Sequence, residues 1–597
     1  MSRLDDLISQ RRLHRRHLLQ LMGMSGAGLL AACASKSSTG SNATSTTSSG
    51  GAATTAPTTA SGSGGATAAA SAATGASPAA TSAAAATSAP TTSAASKKKG
   101  GTLTVGLDQE PPTMDPHASP SAITYYITGS TAESLLYLDD KRQLQPWLAS
   151  KYEVATDAKT FTYHLVTDAT FQDGAPFNSQ AVKYSFDRIV DPNFKAGGAL
   201  GSLSGYTGTD TPDDNTAVVK FKDSFVPFLT YSAGGTLAFV SPKTTPTQGD
   251  AVNHTPVTSG PYKITEYVAK DHCTIERWDD YKRKLPWASQ PGPGYLDKVV
   301  WKFIPEAGTR TTTVQSGETQ AATVIASQDL PTFENNKDYI VTKPAWVGTP
   351  EIWLLTVDHP PTDDVKVRQA INYAVNKQAL VDTVYRGTAT PAIGILAKSM
   401  LDDPSLQNYP FDQAKAKQLL DDAGWTAGSG GMREKNGQKL TIVINAIDYG
   451  GGPATEVPLI QGQLRDVGID AQIKAQARPP WYDDNYKGAT NGPIMFLRSG
   501  DWDGLYALFH SSNIGGNFNW SRVKDPDVDA ALVKGRQESD PAKRKQLYID
   551  LCKKLLNDMA AAVPLFDQLS VWVIRANYPG MLFNGYTYPI ITEMSTS

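Results

Sequence analysis

The stretch richest in side chains able to do chemistry is Met495–Trp520, MFLRSGDWDGLYALFHSSNIGGNFNW. It mixes acids, an arginine, aromatic rings and a glycine-rich loop, without the period of a helix or a strand. Ligand pockets have this make-up, with apolar walls and a few placed charges. Arg498, Asp501 and Asp503 are the charges here. An enclosed carboxylate attracts an ammonium strongly, and an enclosed guanidinium attracts a carboxylate.

Patterns for covalent or metal chemistry are missing from the sequence. No G-x-S-x-G occurs, and the S-x-x-K at Ser96–Lys99 closes a low-complexity tract. The histidines form no H-x-x-x-H pair, and no C-x-x-C or phosphate-loop G-x-x-x-x-G-K-[ST] is present. Binding is therefore expected rather than catalysis, with no cofactor and no metal. Asp173, in Phe171-Gln172-Asp173-Gly174, reads as a turn-capping carboxylate rather than an acid or base.

The elements that must position such a site are legible by period and cap. In Pro360–Gly387 (PPTDDVKVRQAINYAVNKQALVDTVYRG) the residues Val367, Ala370, Ile371 and Ala374 make one apolar helical face. Asp363, Asp364, Lys366 and Arg368 read as a solvated, charge-balanced helix start. Asn376 is expected to cap a second short helix and Gly387 to stop it. Leu440–Ala446, Thr455–Val467 and Gly468–Ile473 read as strand, helix and strand, hence a parallel crossover in an α/β domain. Asn178 is placed to cap a helix through Val182, Phe186 and Ile189. Asp525-Pro526 and Asp540-Pro541 open two late helices, and Pro564–Phe566 and Val571–Ile574 finish as strands.

The chain has 597 residues, is 40% hydrophobic and 19% charged, and carries a net charge of −3. That is enough for two or three domains, with no electrostatic footprint for nucleic acid. Of its three cysteines, Cys273 and Cys552 read as unpaired buried thiols, with one bond between them the alternative. The N-terminus reads as an address. Arg15-Arg16-His17-Leu18-Leu19-Gln20 has the form of a twin-arginine export motif. The short apolar run after it ends in Leu30-Ala31-Ala32-Cys33, which looks like a bacterial lipobox with Cys33 as the lipidated residue. From Ser37 to Ser96 all residues but Asn42 are Ala, Gly, Ser, Thr or Pro. Such a tract is expected to be a disordered tether with a reach of about 45 Å.

Several of these stretches resemble one family. PPTDDVKVRQAINYAVNK is similar to the opening of the third domain in family 5 bacterial extracellular solute-binding proteins, the oligopeptide-, dipeptide- and nickel-binding group that feeds ABC importers. GGTLTVGLDQEPPTMDPH resembles the start of the mature domain in that group. The Phe171–Asn178 turn, Ser259-Gly260-Pro261-Tyr262 and Ser316-Gly317-Glu318 also match. The resemblance implies an α/β, two-lobed periplasmic-binding-protein-like clamshell of type II, the large three-domain variant with discontinuous domains. The implied divisions are a signal peptide at 1–32, a lipid-anchored linker at 33–97, domain I at 98–133, 252–350 and 565–597, domain II at 134–251, and domain III, the second lobe, at 351–564.

It also implies a role: an extracytoplasmic, lipid-anchored, monomeric protein that gives a peptide or peptide-like solute to ABC permease and ATPase subunits. A sugar, opine or nickel chelate is the alternative solute. A secreted hydrolase or a structural envelope protein is the alternative from another class. In peptide-binding relatives an aspartate in a G/A-D-aromatic segment pairs with the ligand ammonium, and Gly500-Asp501-Trp502 carries that role to Asp501, with simple capping of a turn the alternative. Relatives usually have an aromatic where this chain has Arg498, which would pair with Asp501 or Asp503 or meet a ligand carboxylate. Trp502, Trp520, Trp481 and Tyr482 are candidate pocket walls, with core or surface packing the alternative for each taken alone. Glu110 and Tyr125 are candidates from the first lobe.

Overall fold

A computed structural model describes residues 97–119, 121–406, 409–448 and 454–596. The export motif, Cys33 and the tether lie outside the described residues. The first lobe is built on a seven-stranded mixed sheet in the order Tyr339–Thr342, Trp572–Arg575, Ala321–Thr323, Thr102–Leu107, Lys298–Phe303, His272–Arg277 and Tyr262–Val268. Thr102–Leu107 runs parallel to both its neighbours. Its alternating residues Leu103 and Val105 join Trp301, Ile275 and Trp572 in one core. The helix Ala307–Ser316 makes the crossover between Lys298–Phe303 and Ala321–Thr323. Glu306 caps its N-terminus, and Gly317, at φ 84°, ends it in the left-handed region.

A second sheet is four-stranded and antiparallel, in the order Ala149–Val154, Thr160–Leu165, Thr216–Phe221 and Tyr206–Asp213. Phe161, Phe186, Phe228 and Phe239 fill its core, each burial stabilising by about 1.5–3 kcal/mol. Asn178 caps the helix Ser179–Val190 as its sequence indicates, accepting from the Ala181 amide. Asp173 caps its turn, accepting from the Ala175 amide and from the Ser241 and Thr244 hydroxyls.

The second lobe holds the parallel pair Thr441–Ile447 and Asp470–Gln476, bridged by the helix Glu456–Asp466. It also holds the four-stranded sheet Ala389–Pro391, Ala562–Gln568, Glu351–Leu354 and Ile494–Met495. Asp364 caps the helix Val365–Ala374, and Asn376 caps the short helix after it. Arg368 departs from its sequence reading. It is buried, not solvated, and gives its guanidinium protons to the carbonyls of Thr362, Asp363 and Met559. A guanidinium satisfied by fixed carbonyls tolerates loss of water. Cys273 lies in the first-lobe sheet, Cys552 lies in the helix Pro541–Lys553, and both are buried and free.

Two chain segments cross between the lobes side by side. Trp346 donates its amide to Gln568 (3.0 Å), Ser570 donates to Pro344 (2.8 Å), and Ala345 bridges Leu569. The strand Ala562–Gln568 therefore belongs to the second lobe throughout its length, and Trp572–Arg575 to the first. Paired crossings of this kind let two lobes move as bodies about a few residues.

Candidate functional site

The first lobe presents the carboxyl end of its central parallel strand, where open α/β sheets place ligands. Asp108 follows directly on Thr102–Leu107. Its Oδ1 is buried and has no hydrogen-bond partner among the described residues. Burial raises the Asp108 pKa, while Arg310 and Arg498 act against that rise. Arg310 is fixed by the carbonyls of Ile304, Pro305, Thr323 and Val324 at the ends of the flanking strands. Val324, with φ at 53°, is a β-branched residue in the left-handed region at that rim, where strain clusters at ligand sites.

The second lobe answers with Phe496–Ser499. Thr349 on the crossing segment donates its amide to the Leu497 carbonyl (2.9 Å), and its hydroxyl accepts from the Leu497 amide (2.8 Å). That clamp lays the Arg498 guanidinium 3.6 Å from the Trp346 ring centre, with Phe496 edge-on to the same ring at 5.1 Å. Arg498 Nη1 and Trp346 Nε1 are both buried without a hydrogen-bond partner among the described residues. Tyr588 stacks between Tyr125 (5.7 Å) and Tyr586 (5.8 Å). Burial pushes its hydroxyl up to about 12, with Arg498 pulling the other way.

Gly348 makes the clamp possible. It sits at φ 109°, and a Cβ there would stand 2.1 Å from the Leu497 carbonyl oxygen. Gly348→Ala is expected to destabilise the protein by about 2–3 kcal/mol through strain and displacement of this strand. Thermal unfolding measures it, and an unchanged midpoint would contradict the clamp.

Beside this lies a charged lattice joining the second lobe to the four-stranded domain. Both oxygens of Asp501 accept from Arg544, at 2.9 and 2.5 Å, and both oxygens of Asp503 accept from Arg536, at 2.7 and 3.0 Å. Burial acts on both acids. Arg544 outweighs it at Asp501, whose pKa falls, while burial prevails at Asp503, whose pKa rises. Thr230 and Tyr231 donate to these carboxylates, Val226 donates to the Arg536 carbonyl, and Arg142 donates to the Gly500 carbonyl.

The structure thus places Arg498 and Asp501 at the lobe contact, but in different settings. Asp501, expected as a free carboxylate for an ammonium, already holds a bidentate guanidinium. Trp502 is half-buried, donating to the Met400 carbonyl and resting on Tyr548. Trp481, Trp520 and Tyr482, expected as pocket walls, pack together with ring centres 5.0–5.7 Å apart inside the second-lobe core. Their aromatic clustering reflects core packing. Glu110 accepts from the Tyr267 hydroxyl, and Tyr125 is buried with its hydroxyl on the Ser119 carbonyl. Asp108, Trp346 and Tyr588 escaped sequence reasoning. The one available signal was the position of Asp108 at the end of an alternating strand.

The middle region of bacterial extracellular solute-binding proteins, family 5, matches residues 143–520, more than half of the chain. The chain belongs to this family. Its family 5 relatives include the glutathione-binding protein GsiB of Escherichia coli K12, 29% identical over 453 residues, with 73% of this chain and 83% of that protein covered. Among solved structures, NikA from Brucella suis in complex with Fe(III)-EDTA superposes with a TM-score of 0.74 at 24% identity, covering 83% of this chain and all of that one. DppA from Helicobacter pylori in complex with the peptide STSA gives 0.69 at 21%, covering 84% and 98%. The family 5 fold is the type II clamshell, and its members are extracytoplasmic solute-binding components of ABC importers.

Proposed function

We propose that this chain captures a peptide or peptide-like solute between its lobes and passes it to an ABC permease driven by its ATPase subunits. The observation that carries this reading is Arg498. It is held on Trp346 at the lobe contact, with one guanidinium nitrogen buried and unpartnered. A buried donor of that kind is costly until an acceptor arrives, and the carboxylate of a peptide supplies two. The glutathione-binding relative and the peptide-bound neighbour point to the same solute class. Export by the twin-arginine route, lipid anchoring at Cys33 and a monomeric state complete the proposal and rest on the sequence.

Calorimetric titration of the full chain with glutathione and with a mixture of di- and tripeptides tests it. Saturable binding near one to one is expected, with the solute recovered unchanged by mass spectrometry. Cleavage of the solute would establish the hydrolase instead.

A further inference from the structure

Away from the contact between the lobes, the second lobe holds a cavity of about 210 Å³, lined by residues that lie between Val375 and Pro564. Its wall is mostly apolar, with Ile393, Leu406, Leu556 and the exposed ring of Phe411. Among the described residues that line it, Lys377 carries the one charge. The side chain is half-buried and its amine end is desolvated. Burial lowers the Lys377 pKa to about 8, and no carboxylate acts against that fall. The amine makes one long bond, 3.5 Å to the Ala392 carbonyl, although an ammonium has three protons to donate. Other polar side chains of the wall are engaged. The Tyr409 hydroxyl donates to the Leu556 carbonyl (2.9 Å), the Asn376 side-chain oxygen accepts from the Ala379 amide (2.9 Å), and Gln378 donates to Asp382 (2.8 Å). A desolvated cation without a counter-ion is costly, and an anion that enters relieves the cost.

We propose that this cavity binds a small monocarboxylic acid with a compact apolar body, its carboxylate on Lys377 and its body against Ile393, Leu406, Phe411 and Leu556. Size sets the body. An apolar cavity of about 150 Å³ takes up benzene, so this one has room for a six-membered ring, or a chain of similar bulk, together with a carboxylate. Charge sets the head group. A carboxylate gains charge-assisted bonds from the ammonium, whereas an amine would bring two cations together. A phosphate would bury several charged oxygens against a single cation, with apolar wall around the rest. The site is independent of what the cleft between the lobes holds.

The test uses the full chain with benzoate and hexanoate as probes and benzamide as the neutral control. Lysines are acetylated in trace amount with acetic anhydride, and the rate at each is read by peptide mass spectrometry. Saturating benzoate or hexanoate is expected to protect Lys377 while the other lysines keep their rates. By calorimetry, benzoate is expected to bind about 10–100-fold more tightly than benzamide. Lys377→Met is expected to erase that preference, and Ile393→Trp, which fills the cavity, to abolish binding of both. Because protection is read on the unaltered chain, the test stands even where a variant fails to fold. Lys377 acetylated at the same rate with and without either acid overturns the inference, as does equal protection by benzamide. Binding that vanishes in Arg498→Gln and leaves Lys377 unprotected would place the acid between the lobes and overturn it too.

Discussion

Arg544→Met is expected to lower stability by about 3–5 kcal/mol, because it leaves a buried carboxylate without its cation. Arg544 and Asp501 are both buried, the pair is bidentate, and the remaining guanidinium nitrogen donates to the Gly535 carbonyl. The attraction holds Asp501 ionised against the pull of burial. The neighbouring Arg536 is taken by Asp503 and does not stand in for it. Asp501→Asn combined with Arg544→Met removes both charges and is expected to recover much of the loss. Denaturant unfolding followed by tryptophan fluorescence measures both variants. A loss under about 1 kcal/mol for the single change would show the pair to be solvated and worth no more than a surface ion pair.

The second large effect concerns Glu351, where the crossing segment enters the second-lobe sheet. Burial, reinforced by the nearby Glu456, pushes its carboxyl up to about 8, against a donated bond from Gln568. The unfolded chain would release that proton near pH 4.3, as a free glutamate does, at about the model-peptide value. The folded state therefore binds more protons than the unfolded one between these values, and stability falls as pH rises through the window. The full cost above it is about 3–5 kcal/mol. Asp567, raised to about 7 by burial, adds a change of the same sign. Glu351→Gln keeps the acceptor for Gln568 and removes the titration. The variant and the parent are expected to match near pH 4.5 and to diverge steadily towards pH 9, the variant being the more stable. Parallel stability profiles across that range would show that Glu351 is ionised in the fold.

Local chemistry made much of the fold legible. Helix starts at Asn178, Asp364, Asn376, Asp525 and Asp540 follow from a side chain bonding an amide two or three residues on. The crossover of Thr441–Ile447 and Asp470–Gln476 follows from period alone. What the sequence does not display is which distant group meets which. Arg368 looks like a surface charge until Met559, far along the chain, supplies its carbonyl. Asp501 looks free until Arg544 arrives from the helix Pro541–Lys553. Trp481 and Trp520 look like pocket walls because core and pocket draw on the same aromatic residues. The strands near Pro564 and Val571 were readable, but their division between two sheets depends on partners remote in sequence. Asp108 and Trp346 carry no motif at all. They are found by asking which buried polar atoms lack a partner.

The central claim is that the lobes close on a solute that is bound and given up unchanged. Native mass spectrometry of the full chain, purified without denaturation and then unfolded in the instrument, tests it most directly. One small molecule per protein, released intact, is expected, together with its loss in Arg498→Gln. A protein that carries no such molecule and takes up none from peptide or metabolite mixtures would contradict it.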